Sequence, residues 1–478
     1  MAKGSRRPLV AGAVALAASG AVASTIGAVY HIIVVRVAGA EALGLFQMAM
    51  PIYRVAAGAA SLGFHIAVVR LVADSLGRGR PEQARAHARS ALRAALASGP
   101  AAAILIWLAA PILAVSLFRD ARLIPAIACL GLLLIPATAG SVLAGVVQGF
   151  GGASSLAWAG IAEAVLRVPS VLAMLTLLAP LGAGAMAAAM IGGMVVGEVG
   201  SLAMLWIKAR QLLEGDLRLV RAPRAEAALF RLGIPLMVSG LFNSVVNLVN
   251  ASLVPRQLQS AGLTQTGATQ AFGQMSGMVA PLVYMPMLFV GPVVQVVTPA
   301  VAELLGSDRR DRVVRLLRKA FLIAGAIGLA WAALLVLVPG HIGRILYGAP
   351  QIAPLVRPLA AAAPFVYIGM ISSGVLIGAG QVGPVTVNVF VGNITRTALI
   401  LTLVSRPTWG ILGAIWAMVA DHVVTAVLNI ACLGWFMSAR LARISHASHE
   451  QDAASRHVSN GKEERTVGRE YDGHVYRG

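Results

Sequence analysis

Charge is the scarcest ingredient of this sequence. Only 12% of its 478 residues are charged, against roughly 25% in soluble domains. With 58% hydrophobic residues and a mean hydropathy of +0.81, the chain could not cover its apolar surface in water, which excludes an ordinary soluble fold. Cysteine is nearly missing. Cys129 and Cys432 lie singly in apolar runs, which excludes a disulfide framework and cysteine-based metal sites. Acids are few, 19 against 38 Lys and Arg. A pI near 11.3 in a soluble protein would point to nucleic acid. Here the basic residues crowd into short loops, which is the signature of membrane topology.

What is present is a series of long apolar runs. A helix needs about 20 apolar residues to cross the hydrocarbon. Twelve such segments can be drawn: 9–35, 44–73, 92–117, 123–148, 155–179, 184–207, 229–254, 273–301, 320–340, 354–379, 385–405 and 410–437. The first is too long for a signal-peptide core and reads as an uncleaved span. Backbone groups in lipid must be satisfied within the segment, so these are helices. With the N-terminus in the cytoplasm, 27 of the 38 Lys and Arg fall on the cytoplasmic side. The outer loops hold only Arg36, Arg119, Arg122, Arg256, Arg344, Arg357 and Arg406. This predicts a multi-pass protein of the bacterial cytoplasmic membrane with both termini inside. The polar stretch from His446 to Gly478, with His446, His449, His457 and His474, reads as a disordered tail without metal spacing.

The two halves repeat. Val72-Ala73-Asp74-Ser75-Leu76-Gly77 closes the second segment and Val301-Ala302-Glu303-Leu304-Leu305-Gly306 the eighth. Gln47 and Gln274 open these same segments. Gln148 matches Gln381, Arg36 matches Arg256, and Arg167 matches Arg396. The matched landmarks are about 220–233 residues apart with six spans between them, so the repeats run the same way through the bilayer. The expected fold is an all-α integral membrane protein: about twelve transmembrane helices in two parallel six-helix repeats, forming two bundles around a central cavity. The expected units are 1–209 and 229–438, joined by a cytoplasmic linker at 210–228 and followed by the tail 439–478.

Three stretches carry a resemblance. The first is Val35-Arg36-Val37-Ala38-Gly39-Ala40-Glu41-Ala42-Leu43-Gly44-Leu45-Phe46-Gln47-Met48 with Pro51-Ile52-Tyr53 and Arg70-Leu71-Val72-Ala73-Asp74. The others are Leu253-Val254-Pro255-Arg256-Gln257-Leu258-Gln259 and Phe272-Gly273-Gln274-Met275-Ser276-Gly277-Met278. With them the chain resembles the polysaccharide-transporter branch of the MATE-like exporter superfamily, a branch related to lipid II flippases. The resemblance covers about residues 9–438. It implies a flippase for a polyprenyl-diphosphate-linked sugar. Where those flippases carry an Arg-Asp pair in the first helix, this chain has Tyr30 and His31. It also ends two helices earlier.

Ionisable groups inside a span are costly and therefore candidates for function. Arg54 lies near the middle of the second helix; a guanidinium suits a diphosphate through paired charge-assisted bonds, and the related flippases carry an arginine just past the proline corresponding to Pro51. Glu163 and Arg167, one turn apart on the fifth helix, read either as an internal ion pair or as a cavity arginine with its resting partner. Arg396 on the eleventh helix could find Asp421 across the bundle. Asp421, Glu198 and Glu163 are the candidates for coupling to a cation. Asn243, Asn247 and Asn250 form one stripe that either joins helices or lines a wet cavity. Arg36 and Arg256, ending helices 1 and 7, either snorkel or serve an outer gate. His31 and His65 read as satisfied polar residues. The prolines of helix 8, and Pro51 with the many glycines of helix 2, predict that these two helices bend during the transport cycle.

The leading expectation is a flippase moving a lipid-linked sugar (a cell-wall, spore-cortex or polysaccharide precursor) by alternating access. No cofactor, metal, nucleic acid or catalytic residue is called for; the partners are the lipid-linked sugar, membrane lipids and a coupling cation. The alternatives are a cation-coupled multidrug exporter, a non-transporting scaffold for polysaccharide synthesis, and a membrane enzyme. The last is disfavoured by short, acid-poor outer loops.

Overall fold

The computed structural model describes residues 6–213, 223–306 and 310–438, with side chains from residue 26 onward. The tail 439–478 with its histidines, and residues 214–222 of the linker, lie outside the described residues. Among the described residues all regular structure is helical. Ten helices are long and apolar enough to cross a membrane, or eleven if the bent pair Pro350–Ala360 and Ala363–Gly378 is one span. One of the ten, Ile26–Gly77, has 52 residues. At 1.5 Å per residue that is about 78 Å, more than twice a ~30 Å hydrocarbon core. It is interrupted at Gly39, whose φ of 73° and ψ of 174° are not helical. Divided there, and with the bent pair taken as one span, the described residues hold twelve spans.

They are α1 (6–38), α2 (40–61 continued by Phe64–Gly77), α3 (Pro81–Leu117), α4 (Ala121–Gly149), α5 (Ala153–Leu181) and α6 (Ala183–Leu212) in the first bundle. The second comprises α7 (Pro223–Ser260), α8 (265–306, in pieces), α9 (Arg310–Leu337), α10 (Pro350–Ala360 with Ala363–Gly378), α11 (Val382–Val404) and α12 (Gly410–Ser438). A short helix, Pro339–Tyr347, joins α9 to α10. Most spans begin and end near the expected positions. The clearest differences are at three starts: α3 begins at Pro81 rather than at residue 92, α9 at Arg310 rather than at residue 320, and α8 at Gln265 rather than at residue 273. The first turn of α8 is polar, and Thr264 caps it by accepting from the Gly267 amide at 3.1 Å.

Helices 2 and 8 are both broken along their length. In α2 the break falls at Leu62 (φ 49°) and Gly63 (φ 67°). A side chain at Gly63 would also run into α7, with the Met237 amide nitrogen 3.1 Å from its Cβ. In α8 a π-helical turn at Gln274–Val279 is followed by a break before Met287. Wide turns and prolines leave carbonyls unpaired inside the helix, which a protein tolerates where it bends or faces a cavity.

In lipid, helices are joined by close van der Waals fit rather than by expulsion of water, so small residues mark the contacts. Gly197 of α6 lies on α5, where an added Cβ would be 2.8 Å from the Glu163 carbonyl. Gly328 of α9 lies on α10, with Pro364 Cα 2.7 Å from the same construction. Within the first bundle α4, α5 and α6 pack extensively. In the second, α8, α9 and α10 do so. Among the described residues the bundles meet mainly through α1, α2, α7 and α8, with α3 touching the start of α7 and the N-terminus of α4 reaching α8.

Candidate functional site

The end of the bundle bearing the arginine-rich loops is termed the basic end, the other the distal end. The two bundles close on each other at the distal end. There α2 crosses α8 at glycines. A Cβ on Gly44 would lie 3.1 Å from Thr269 Cγ2, and one on Gly273 only 2.7 Å from the Gly44 nitrogen. Gln47 Nε2 donates to the Ser276 carbonyl at 3.4 Å. His31 Nε2 meets the Gly277 carbonyl at 2.8 Å. At the basic end the crossing contacts run through the start of α7. Phe230 stacks edge-on to Phe64 at 5.2 Å, and Arg93 pairs with Glu226.

Arg54 follows from this geometry. Residues Ala40, Gly44, Gln47, Pro51, Arg54 and Gly58 of α2 lie within about 40° of one line along the helix. The first three contact α8, and a Cβ added to Gly58 would lie 3.4 Å from Leu241 of α7. Arg54 therefore faces the second bundle at the level where α2 and α8 have diverged. It is exposed and about 22 Å along the axis from the Gly39 turn, which is inside a ~30 Å hydrocarbon core if that turn marks the surface. It has no hydrogen bond or ion pair among the described residues.

The other deep arginines do not share this space. Tyr53 is on the opposite side of α2 and lies in the field of Glu198, Glu163 and Arg167. Tyr30 of α1 feels Arg167 as well. These five form a cluster inside the first bundle. Arg167 is held by Glu163 in the intrahelical ion pair, both side chains about one quarter exposed. Glu198 makes no ion pair among the described residues. It packs beside Gly140 of α4.

The second bundle repeats the arrangement. Arg396 acts electrostatically on Asp421, His422 and Tyr284. Tyr284 and His422 hydrogen-bond at 2.8 Å, and Asp421 accepts from Thr425 at 3.4 Å. The direct Arg396–Asp421 pair suggested by the sequence does not form among the described residues: the two groups are coupled through space, and Arg396 Nε is buried without a partner. Two members of the asparagine stripe, Asn243 and Asn250, reach α11, while Asn247 bonds within α7. Asn250, buried, accepts from Thr397 of α11 at 2.7 Å. Asn243 accepts from Asn247 at 3.0 Å and from Asn393 at 3.5 Å. His65 is satisfied by the Ser141 carbonyl at 2.8 Å.

Arg36 does cross between the bundles. Its guanidinium donates to the carbonyls of Ile345, and of Leu346 at 2.8 Å, at the C-terminal end of the short helix. A cation is favoured at that end by the helix dipole. Arg256 is half-buried at the distal end of α7. A stronger clasp was not anticipated. Arg122 binds Asp120 at 2.6 Å and also Glu41. It reaches Thr266 and Thr269 of α8 at 3.3 and 3.4 Å. Asp120, only 1% exposed, also meets Thr269 at 3.3 Å, and Gln265 donates to the Arg119 carbonyl at 2.7 Å. In the sequence Arg119 and Arg122 stand only as outer-loop charges. The available signal was two acids, Glu41 and Asp120, in otherwise acid-poor distal turns.

Comparison with known proteins agrees with this architecture. Stage V sporulation protein B of Bacillus subtilis (strain 168) is 25% identical over 433 residues, 89% of this chain and 83% of that protein. The inward-facing conformation of a multidrug resistance MATE family transporter of the MOP superfamily matches with a TM-score of 0.69 at 17% identity, covering 87% of this chain and 94% of that one. An outward-facing conformation of such a transporter gives 0.59 at 18% identity, covering 90% and 96%. The MatE family model matches residues 235–402. The model described as polysaccharide biosynthesis protein matches residues 9–305, so the chain belongs to the polysaccharide biosynthesis protein family and is a multi-pass membrane transporter of MATE-like fold.

Proposed function

We propose that the chain carries a polyprenyl-diphosphate-linked sugar across the bacterial cytoplasmic membrane by alternating access, with the basic end and both termini in the cytoplasm. The observation that carries this reading is Arg54: a guanidinium at hydrocarbon depth, without a protein partner among the described residues, on the α2 face turned to the gap. An unpaired charge at that depth is expensive, and an anionic cargo supplies the partner. The headgroup rides in the gap between α1, α2, α7 and α8. For the tail, a cavity of about 650 Å³ lies between Ala28 of α1 and Met285, Pro286, Phe289, Ile327 and Trp331 of α8 and α9. Its lining is apolar, and it sits on the seam between the bundles, where a hydrocarbon chain can remain in lipid while its head is inside. The closed distal end corresponds to a state open to the cytoplasm, the side on which a newly made precursor would load.

The test is binding by the purified chain in lipid nanodiscs. A polyprenyl diphosphate should bind more tightly than the monophosphate, and Arg54→Ala should weaken the diphosphate by about 10- to 100-fold, the worth of one or two charge-assisted bonds. Equal affinities for unmutated and Arg54→Ala protein would remove the assignment.

A second reading, a cation-coupled drug exporter, draws on Glu198 and Asp421, which make no ion pair among the described residues, and on the multidrug transporters that share the fold. It predicts drug efflux abolished by Asp421→Asn and indifferent to Arg54→Ala.

A further inference from the structure

The second bundle contains a cavity of about 710 Å³ between α8, α10 and α12. It is separate from the gap that Arg54 faces and from the apolar seam at α1. Its wall runs from Tyr284 to Pro299 on α8 and from Phe365 to Ile377 on α10, a length of about 20 Å at 1.5 Å per residue. The mean cross-section is then about 35 Å², so the cavity is long and narrow, with room for an extended hydrocarbon chain.

Apart from Gln295 at its rim, the wall asks for nothing polar. The side chains lining it are mostly apolar, with Met287, Phe365 and Met370 among them. Each hydroxyl on the wall is already engaged. Tyr284 and His422 bond to each other at 2.8 Å. Thr298 donates to the Val294 carbonyl at 2.9 Å. Ser373 accepts from Asn429 at 2.9 Å, and Thr425 donates to Asp421 at 3.4 Å. A ligand with many donors would find no partners here, whereas a chain of methylenes forfeits none.

Its direction is also informative. Tyr284, Phe365 and His422 lie midway along their helices and close the slot near mid-bilayer. Gln295, Pro299 and Ile377 form an exposed rim towards the basic end. The Gln295 side chain makes no hydrogen bond among the described residues and is free to meet a headgroup. A slot that opens at one membrane face and ends near the middle is about one leaflet deep, given a ~30 Å hydrocarbon core.

We propose that this slot is a lipid site: it holds one acyl chain of a phospholipid from the leaflet at the basic end, with the headgroup at the Gln295 rim. A polyprenyl chain, much longer than a leaflet, is not its occupant. The proposal is independent of the cargo assigned to the gap.

The experiment is photolabelling of the full chain in vesicles, once with phosphatidylglycerol carrying a diazirine near the end of one acyl chain and once with a diazirine-bearing polyprenyl diphosphate. Peptide mapping should find acyl-chain adducts on Phe365, Met370 or Met287 in unmutated protein. Gly369→Phe should lose them while keeping adducts on the exposed Leu329 and Leu337. At Gly369 an added Cβ meets only ordinary contacts with Ala426, the nearest at 3.6 Å, so the ring fills the slot without displacing backbone. Should that variant fail to fold, the adduct map of the unmutated chain decides alone. Acyl adducts confined to exposed residues such as Leu329 and Leu337 would overturn the proposal. Slot adducts from the polyprenyl probe but not from the phospholipid would overturn it equally.

Discussion

Thr269 offers a clean way to loosen the distal clasp. Its hydroxyl accepts from Arg122 at 3.4 Å across the bundles. Its single proton is shared between Asp120 at 3.3 Å and the Gln265 carbonyl at 2.9 Å within its own helix. Thr269→Val deletes the two cross-bundle bonds of this hydroxyl, leaving Arg122–Thr266 and Gln265–Arg119 in place, and keeps the side-chain shape. Asp120 retains Arg122 at 2.6 Å, so the first bundle stays intact. Arg122→Ala is a poorer probe, because it strands a carboxylate that is only 2% exposed and unfolding would confuse the result. Each bond lost contributes about 0.5–1.5 kcal/mol net, and these are long ones. A total near 1–1.5 kcal/mol shifts a two-state equilibrium by about five- to tenfold. The bonds exist only while the distal ends touch, so the shift is towards the distal-open state. Spin labels at Leu181 and Leu337, both highly exposed at the distal end of opposite bundles, report it by double electron–electron resonance once Cys129 and Cys432 are replaced by alanine. The long-distance population should rise by that factor in Thr269→Val. An unchanged distance distribution would refute the idea that this clasp holds the end shut.

Gly44→Leu acts on the same closure by bulk: its side chain would occupy the space of Thr269, and the same pair of labels should report a predominantly open distal end. Glu163→Ala leaves Arg167 without its only salt-bridge partner among the described residues inside the first bundle, and thermal melting in detergent should show a loss of about 1–3 kcal/mol; Glu163→Gln, which can still accept, should lose less. Asn429 links Asn388 of α11 to Ser373 of α10, both bonds at 2.9 Å, from a fully buried position. Asn429→Ala should destabilise by about 1–3 kcal/mol, seen as a lower melting temperature, without changing which side the gap faces.

The membrane spans were legible because lipid imposes one requirement on every segment, about 20 apolar residues with internally satisfied backbone. The repeat was legible because Gln47 and Gln274, or Arg167 and Arg396, recur at matching points in a chain with few polar residues to confuse them. Hidden from the sequence was how the helices are turned about their axes. Arg54 and Tyr53 are neighbours in the chain, yet one faces the gap and the other the interior of its bundle. Spacing gives the angle between them but not which partner helix lies on each side. For the same reason the asparagine stripe could be seen on α7 but not assigned to α11. The clasp was hidden because Arg122, Glu41 and Thr269 come from three turns far apart in sequence.

The central claim is that an anionic headgroup crosses through the gap under the charge of Arg54. Reconstitution of the purified chain into proteoliposomes, with a fluorescent polyprenyl-diphosphate sugar in the leaflet next to the basic end and a headgroup-cleaving enzyme outside, measures that directly. The account predicts translocation by the unmutated protein, its loss in correctly folded Arg54→Ala, and little movement of the same sugar on a neutral polyprenyl carrier. Translocation at an undiminished rate by Arg54→Ala, or equal transport of the neutral conjugate, would contradict it.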